Sequence, residues 1–327
     1  MKNIRGYNRV NSIDDFRGFS VTMMLFANLI VLFIKDPPEI IGHAEPGTIL
    51  PFDLVAPFFG FAIGLSVPFF KEKYISIGTL TKRIFSRVLI LYAVGKIPNF
   101  LYRFIFFEET IIDAFLNSWS ILETWAIGLI LTVLLLELKI VLRIVSALML
   151  LLVYQTVLLY YPAVFSYVSG TAEGGIVAVL AWVLLMVMGS SISELLKKLE
   201  VSKFVTTGVL ISFACIISGL ILHNAGLVLL ERLIVSPSYI LLSTGIAILS
   251  FFYFYFFNPT WSYYFRNIGR YPLQAWILQS IFYIPVYATI GGSYFEWPLG
   301  GLIVLTGVIV LITLDEMLIR AGIKLKA

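Results

Sequence analysis

The sequence is dominated by apolar runs that are long enough to cross a lipid bilayer. A hydrocarbon core of about 30 Å requires roughly 20 apolar residues in a helix. The runs are continuous and do not alternate with polar residues, which favours helices over the strands of a barrel. We predict ten spans, at residues 18–34, 52–70, 85–101, 118–136, 141–161, 174–193, 205–223, 237–257, 272–290 and 298–314.

Composition supports this fold class. Hydrophobic residues make up 60% of the 327 residues and charged residues only 13%, with a mean hydropathy of +0.96. A soluble domain of this length does not hide so much apolar surface. The sequence therefore predicts an all-α integral membrane protein, in which residues 1–327 form a single bundle of about ten transmembrane helices.

The distribution of basic residues predicts the orientation of the bundle. With ten spans, 19 of the 23 Lys and Arg residues fall on the side of the two termini, among them Lys2, Arg5, Arg9 and Lys326. The other side holds four, which are Lys35, Lys96, Arg103 and Arg232. Because cytoplasmic loops are enriched in Lys and Arg, we expect both termini to be cytoplasmic. Without an organelle signal, the default location is the plasma membrane.

Several classes of site are disfavoured by the residue inventory. The chain has one cysteine, Cys215, and two histidines, His43 and His223. These are too few for a disulfide framework or a multi-histidine metal centre. We find no phosphate-binding glycine motif and no zinc-protease motif. No metal and no nucleic-acid partner is expected, whereas contact with membrane lipid is.

The first span carries a polar stripe. A helix turns 100° per residue, so Arg17 and Asn28 point within about 20° of one another, and Asp14 and Asn28 within about 40°. Asn28 lies about 15 Å beyond Gly18, near the middle of a bilayer. An amide at that depth needs a protein or water partner. Two interpretations stay open, a hydrogen bond between helices or the wall of a water-accessible path.

The predicted outer loops, at 34–51, 102–117, 162–173 and 291–297, are acidic, and the last three also contain aromatic residues. His43 lies in the first of them, ten residues before Asp53, and is either a solvated side chain or a general base. Asp53 begins the second span, where it is either a helix cap or a catalytic partner. Glu123, in the fourth span near Trp119, is expected to face the bundle interior. We also consider an ion pair between Glu123 and Lys96.

On the cytoplasmic side, the segment "KEKYISIGTLTKRIFSR" carries Lys82, Arg83 and Arg87. Such charges satisfy the positive-inside rule and contact anionic lipids. They are equally suited to the phosphates of a cosubstrate.

Two segments, "SIDDFRGFSVTMMLFANL" and "GHAEPGTILPFDLVAPFFGFAIGLS", resemble the start of the heparan-α-glucosaminide N-acetyltransferase family of transmembrane acyltransferases. In that family an S-x-D-x-F-R-G segment opens a membrane helix, and an Asn follows the Arg by eleven residues. A His precedes a D-L-V-x-P-x-F run by ten. The matching positions here are Ser12, Asp14, Phe16, Arg17, Gly18, Asn28, His43, Asp53, Leu54, Val55, Pro57 and Phe59.

The resemblance implies transfer of an acetyl group from cytoplasmic acetyl-CoA to an amino sugar or glycan on the extracytoplasmic side. His43, Asn28 and Asp53 would be catalytic. Asp14 and Arg17, with Lys82, Arg83 and Arg87, would contact acetyl-CoA. Glu123 and Trp119 would contact the acceptor, although the family carries a Gln-Arg pair where this chain has Glu123 and Thr124.

Alternatives remain at this level. The acetyl group passes to the acceptor either directly or through an acetylated His43. The same polar path would also suit a transporter or flippase without acyl transfer, or a membrane protein without chemistry. A homodimer is compatible with the sequence.

Overall fold

A computed structural model describes residues 10–73, 77–290 and 294–325 of the chain, and most of them are helical. The helices are α1 (Asn11–Phe33), α2 (Val55–Lys73), α3 (Ile77–Phe106), α4 (Ile111–Asn117), α5 (Ile121–Leu135), α6 (Ile140–Tyr160), α7 (Pro162–Gly170), α8 (Val179–Lys198), α9 (Val201–Asn224), α10 (Pro237–Phe257), α11 (Tyr263–Arg270), α12 (Pro272–Ile290) and α13 (Leu299–Arg320). Short 3-10 helices lie at Glu39–Ile41, Pro51–Leu54, Ala172–Gly174 and Thr260–Ser262. The described residues contain no β-strand, only an isolated bridge between Ile34 and Phe295.

Within these residues, eight helices are long and apolar enough to cross a membrane: α1, α2, α3, α6, α8, α9, α10 and α13. The count becomes nine if α4 and α5, which meet at a bend of 59°, form one broken span. The predicted all-helical character is thus confirmed, and the number of long apolar helices fits a protein that crosses the membrane several times. Helix α12 occupies the predicted span 272–290, but it is not among these eight helices. Some of its side chains are not among those that the structure describes. Lys2, Arg5, Arg9 and Lys326 also lie outside the described residues.

Two predicted loops and several span boundaries were wrong. The loop at 102–117 contains the end of α3 and all of α4, which begins where Asp113 N donates to the Thr110 hydroxyl (3.1 Å). The loop at 162–173 contains α7, opened by Pro162 at a position where its missing N–H costs nothing. Helix α1 begins at Asn11, ahead of the predicted 18, because its polar first turns are buried and paired.

Helix α1 packs against α11 through glycines. A Cβ atom on Gly18 would lie 1.9 Å from the carbonyl oxygen of Phe265, and one on Gly269 would lie 1.8 Å from that of Asp14. Helices α2 and α8 meet in the same way at Gly64 and Gly189. These approaches exclude any side chain, as in membrane helices that associate through small residues.

Ion pairs reinforce the end of the bundle at which α1 begins. Asp15 is fully buried and accepts two bonds from the Arg266 guanidinium (2.7 and 2.8 Å) and one from Ser262 Oγ (3.0 Å). Arg143 is also buried, and it donates to the Glu194 carboxylate (2.9 Å) and to carbonyls at the end of α5. Both of these buried charges therefore have partners that offset the cost of burial.

Candidate functional site

The candidate site lies at the opposite end of the bundle, where α1 ends and α2 begins. Nδ1 of His43 lies 2.8 Å from Oδ1 of Asp53. The His43 side chain is 39% exposed, whereas that of Asp53 is 1% exposed. With Nδ1–H donating to the carboxylate, Nε2 is left as a proton acceptor. This nitrogen has no hydrogen-bond partner among the described residues. The pair has the geometry of a histidine oriented by a buried acid.

Asp53 is held by the backbone around it. Its second oxygen, Oδ2, accepts hydrogen bonds from the N–H groups of Leu50 (2.9 Å) and Ala44 (3.2 Å). The first of these bonds caps the 3-10 helix at Pro51–Leu54, so Asp53 is both a cap and the partner of His43. The loop that carries His43 is thereby folded onto the end of α2.

Two distant segments complete the cluster around Asp53. Arg232 lies between α9 and α10. Its Nε atom is 3.4 Å from Asp53 Oδ1. Its Nη1 atom is 3.5 Å from Glu173 Oε1. The Tyr239 hydroxyl, on α10, donates to the Asp53 carbonyl oxygen (2.6 Å). The charged cluster therefore contains one guanidinium between two carboxylates, with the imidazole at its exposed side.

A backbone contact fastens the loop between α1 and α2 to the α9–α10 connection. The N–H of Gly47 donates to the carbonyl of Leu230 (2.7 Å), and Gly47 has φ +95°, a conformation that favours glycine. The N–H of Leu230 in turn donates to Nδ1 of His223 (3.3 Å). His223 thus supports the loop and lies on none of the cavities described below.

Two cavities meet at His43. The first has a volume of about 250 Å³, and its polar lining includes Asp53, Glu231, Arg232 and Tyr239. The second has a volume of about 270 Å³, and its lining is mostly apolar. Each is slightly smaller than the roughly 300–1,000 Å³ of common small-molecule pockets. His43 is therefore placed to act on a ligand in either space.

The polar stripe of α1 is divided between two environments. Asp14 and Arg17 pair with each other (2.5 Å), and Arg17 also donates to the Gly269 carbonyl (2.5 Å) and Ser66 Oγ (2.7 Å). These two residues therefore join α1 to α2 and α11. Asn28 is half-buried, forms no hydrogen bond within the described part of the chain, and is absent from the lining of both cavities. Its neighbour Ala27 lines the apolar cavity.

The three basic residues expected at acetyl-CoA lie at the far end, on the first turns of α3. Lys82 and Arg83 are exposed, and Arg87 is half-buried with its guanidinium 3.8 Å from the ring centroid of Phe70. Their cationic donors suit phosphate groups. The structure does not bring them together with His43.

Glu123 is fully buried in the first turn of α5, where it accepts from the N–H of Ser120 (2.8 Å) and pairs with Lys96 (3.3 Å). The predicted ion pair between Lys96 and Glu123 is confirmed. Trp119 Nε1 donates to Thr124 Oγ1 (3.0 Å). Neither Glu123 nor Trp119 lines a cavity that contains His43.

Four residues were not predicted: Arg232, Glu173 and Tyr239 at the site, and Asp15 at the opposite end. One signal for Arg232 was present, because it is one of only four cations on the predicted outer side. A lone cation in an acidic region is typical of a charge that serves a particular partner. Glu173 and Tyr239 had no comparable signal.

Glu173 gives the site a testable dependence on pH. Its side chain is 21% exposed, and desolvation raises its pKa above the ordinary 4.5 despite the opposing charges of Arg232 and His43. The folded state thus keeps a proton that the unfolded state has lost, so stability falls as pH rises from about the ordinary value through the raised pKa. We expect Glu173→Gln to remove this slope.

Melting temperatures of the purified protein and of Glu173→Gln, measured from just below pH 4.5 up to neutrality, test this expectation. A constant difference between the two proteins over the whole range would contradict it.

Comparisons with known proteins do not assign the chain to a family. No protein-family model matches the sequence, and no curated protein matches it significantly.

Proposed function

We propose that the chain is a transmembrane acyltransferase, which moves an acetyl group from cytoplasmic acetyl-CoA to an amino sugar or glycan on the extracytoplasmic side. The observation that carries the proposal is the pair of His43 and Asp53, with Nε2 of the imidazole left without a partner beside two cavities. The proposed topology has ten spans and both termini in the cytoplasm of a plasma membrane. It places His43 on the outer side.

The reaction follows from ordinary general-base chemistry. Nε2 of His43 takes a proton from the acceptor amine or hydroxyl. The acceptor nitrogen or oxygen bonds to the thioester carbonyl carbon, the C–S bond breaks, and the CoA thiolate leaves with the proton returned by the imidazolium. Asp53, through its bond to Nδ1, holds the imidazole in the required tautomer and stabilises its charged form.

The remaining residues take the following roles in the proposal. Asn28, whose amide has no described partner, would donate a hydrogen bond to the thioester oxygen as negative charge develops. Lys82, Arg83 and Arg87 would bind the phosphates of acetyl-CoA at the cytoplasmic end. Asp14 and Arg17 would hold α1 in place at this same end, since both are occupied in contacts between helices.

The polar cavity suits the acceptor. Glu45, Glu231 and Arg232 surround it together with the His43–Asp53 pair, so hydroxyl and amine groups of a sugar find both acceptors and donors there. An amino sugar would place its ammonium near the carboxylates before His43 removes the proton.

The proposal is tested with purified protein, acetyl-CoA labelled in the acetyl group, and a panel of amino sugars and glycans. We expect labelled product from wild-type protein and a loss of about 10²-fold with Asn28→Ala, as for removal of an oxyanion donor. Incubation without acceptor, followed by a search for acetyl on His43, separates the two-step route from the direct one. Acceptor that crosses vesicles unmodified, without thioester consumption, would instead indicate a transporter.

A further inference from the structure

The second cavity at His43 lies beside the last turns of α1. Ala27, Ile30, Val31 and Ile34 form one wall. These four positions are spaced as one face of a helix that runs toward the membrane interior. Phe52 and Ile41 contribute further apolar surface. Val31 is 60% exposed, so the cavity opens laterally along α1 and accommodates a ligand that extends along the helix.

A single cation lies at the mouth of this cavity. Of the four Lys and Arg residues on the predicted outer side, three pair with carboxylates: Lys96 with Glu123, Arg103 with Glu109, and Arg232 with Asp53 and Glu173. The fourth is Lys35, which lines the apolar cavity. It forms no ion pair with any described carboxylate.

The position of Lys35 is set by the backbone. The N–H of Lys35 donates to the carbonyl of Phe295 (3.4 Å), and the N–H of Phe295 donates to that of Phe33 (2.8 Å). The ammonium is therefore presented where α1 leaves the bundle, between the apolar face and His43. An apolar cavity that ends at a positive charge, as this second cavity does at Lys35, matches a lipid chain attached to a phosphate.

We infer that the acceptor is a saccharide attached through a phosphate to a lipid chain. This inference rests on the proposed acetyl transfer and specifies its acceptor. The lipid chain lies along Ala27, Ile30 and Val31, the phosphate meets Lys35, and the saccharide occupies the polar cavity. His43 lines both cavities, so it stands where such a molecule passes from one to the other.

Three acceptors with the same saccharide test the inference: a methyl glycoside, a long-chain alkyl glycoside, and a long-chain alkyl phosphate glycoside. We expect wild-type protein to prefer the phosphate-linked acceptor in kcat/KM. Val31→Trp, which fills the second cavity, should lower the kcat/KM of both long-chain acceptors relative to the methyl glycoside. Lys35→Gln should lower that of the phosphate-linked acceptor alone, by about tenfold, as for loss of one charge-assisted contact.

Lys203→Gln is the matched control, since Lys203 is an exposed cation that pairs only weakly with Glu200 (3.9 Å) and lies far along the chain from both cavities. Lys203→Gln should leave kcat/KM unchanged for all three acceptors. Equal kcat/KM for the three acceptors in wild-type protein, or equal effects of Lys35→Gln on all of them, would overturn the inference while leaving acetyl transfer intact.

A binding measurement keeps the inference testable if no acetyl-CoA is consumed. A photoreactive group in the lipid chain of the phosphate-linked glycoside should label the α1 segment 27–35, and excess phosphate-linked glycoside should abolish the labelling. If ordinary phospholipid reduced the labelling to the same extent, the second cavity would be a general lipid contact, and the inference would be overturned. Labelling without turnover would instead refute acetyl transfer, whereas the inferred lipid-linked ligand would stand.

Discussion

Replacing His43 by alanine is expected to lower the rate of acetyl transfer by about 10²–10⁴-fold, because this is the usual contribution of a general base. His43 is the only histidine that lines the two described cavities, and its imidazole is oriented by a bond to Asp53 (2.8 Å). The change should fall on kcat more than on KM, since proton removal belongs to the transition state. Product formation from labelled acetyl-CoA under saturating acceptor measures it.

Two further variants sharpen the result. Asp53→Asn should lose activity as well, because the amide favours the wrong tautomer of the imidazole. His223→Asn is the control, since an asparagine still offers an acceptor to the N–H of Leu230. Full activity in His43→Ala, with an unchanged elution profile on size-exclusion chromatography, would refute the role of His43.

The largest expected loss of stability is that of Gly269→Val. Even a Cβ atom at this position would meet the Asp14 carbonyl oxygen at 1.8 Å and the Gly18 nitrogen at 2.7 Å. Backbone atoms cannot move aside as a flexible side chain does, so α1 and α11 must separate. We expect a destabilisation of about 5 kcal/mol or more, at the upper limit of single substitutions. Thermal unfolding in detergent and the yield of monodisperse protein measure it.

Gly78→Ala is the matched control for this substitution. Gly78 lies near the start of α3, and an added Cβ atom would meet no atom of the described residues within 4 Å. An alanine in a helix is favoured over glycine by about 0.5–1 kcal/mol. Gly78→Ala should therefore be neutral or slightly stabilising, and an equal loss in both variants would argue against the close contact of α1 and α11.

The apolar helices were predictable because their signal is local. A run of some twenty apolar residues is read directly from the sequence. Helices α4, α7 and α11 were not predicted, since they are short, and their positions depend on caps and on buried polar contacts. Asp15 shows the difficulty, because its carboxylate inside the bundle is compatible with the fold only through Arg266, 251 residues further along the chain.

The candidate site was predictable only where its residues lie close together in the sequence. His43 and Asp53 are ten residues apart, so a motif carries them together. Arg232, Glu173 and Tyr239 reach Asp53 only through the packing of α8, α9 and α10, and no spacing in the sequence announces that contact. Asn28 shows the converse, since the geometry of a single helix predicts its depth without naming its neighbours.

The cluster around Asp53 also sets an order of assembly. The imidazole and its acid are translated within the first sixth of the chain, whereas the guanidinium and phenol that secure the acid follow only at residues 232 and 239. A nascent chain that has released its first two spans into the bilayer therefore carries an incomplete site. The cluster around Asp53 is therefore complete only when α10 has docked against the start of α2.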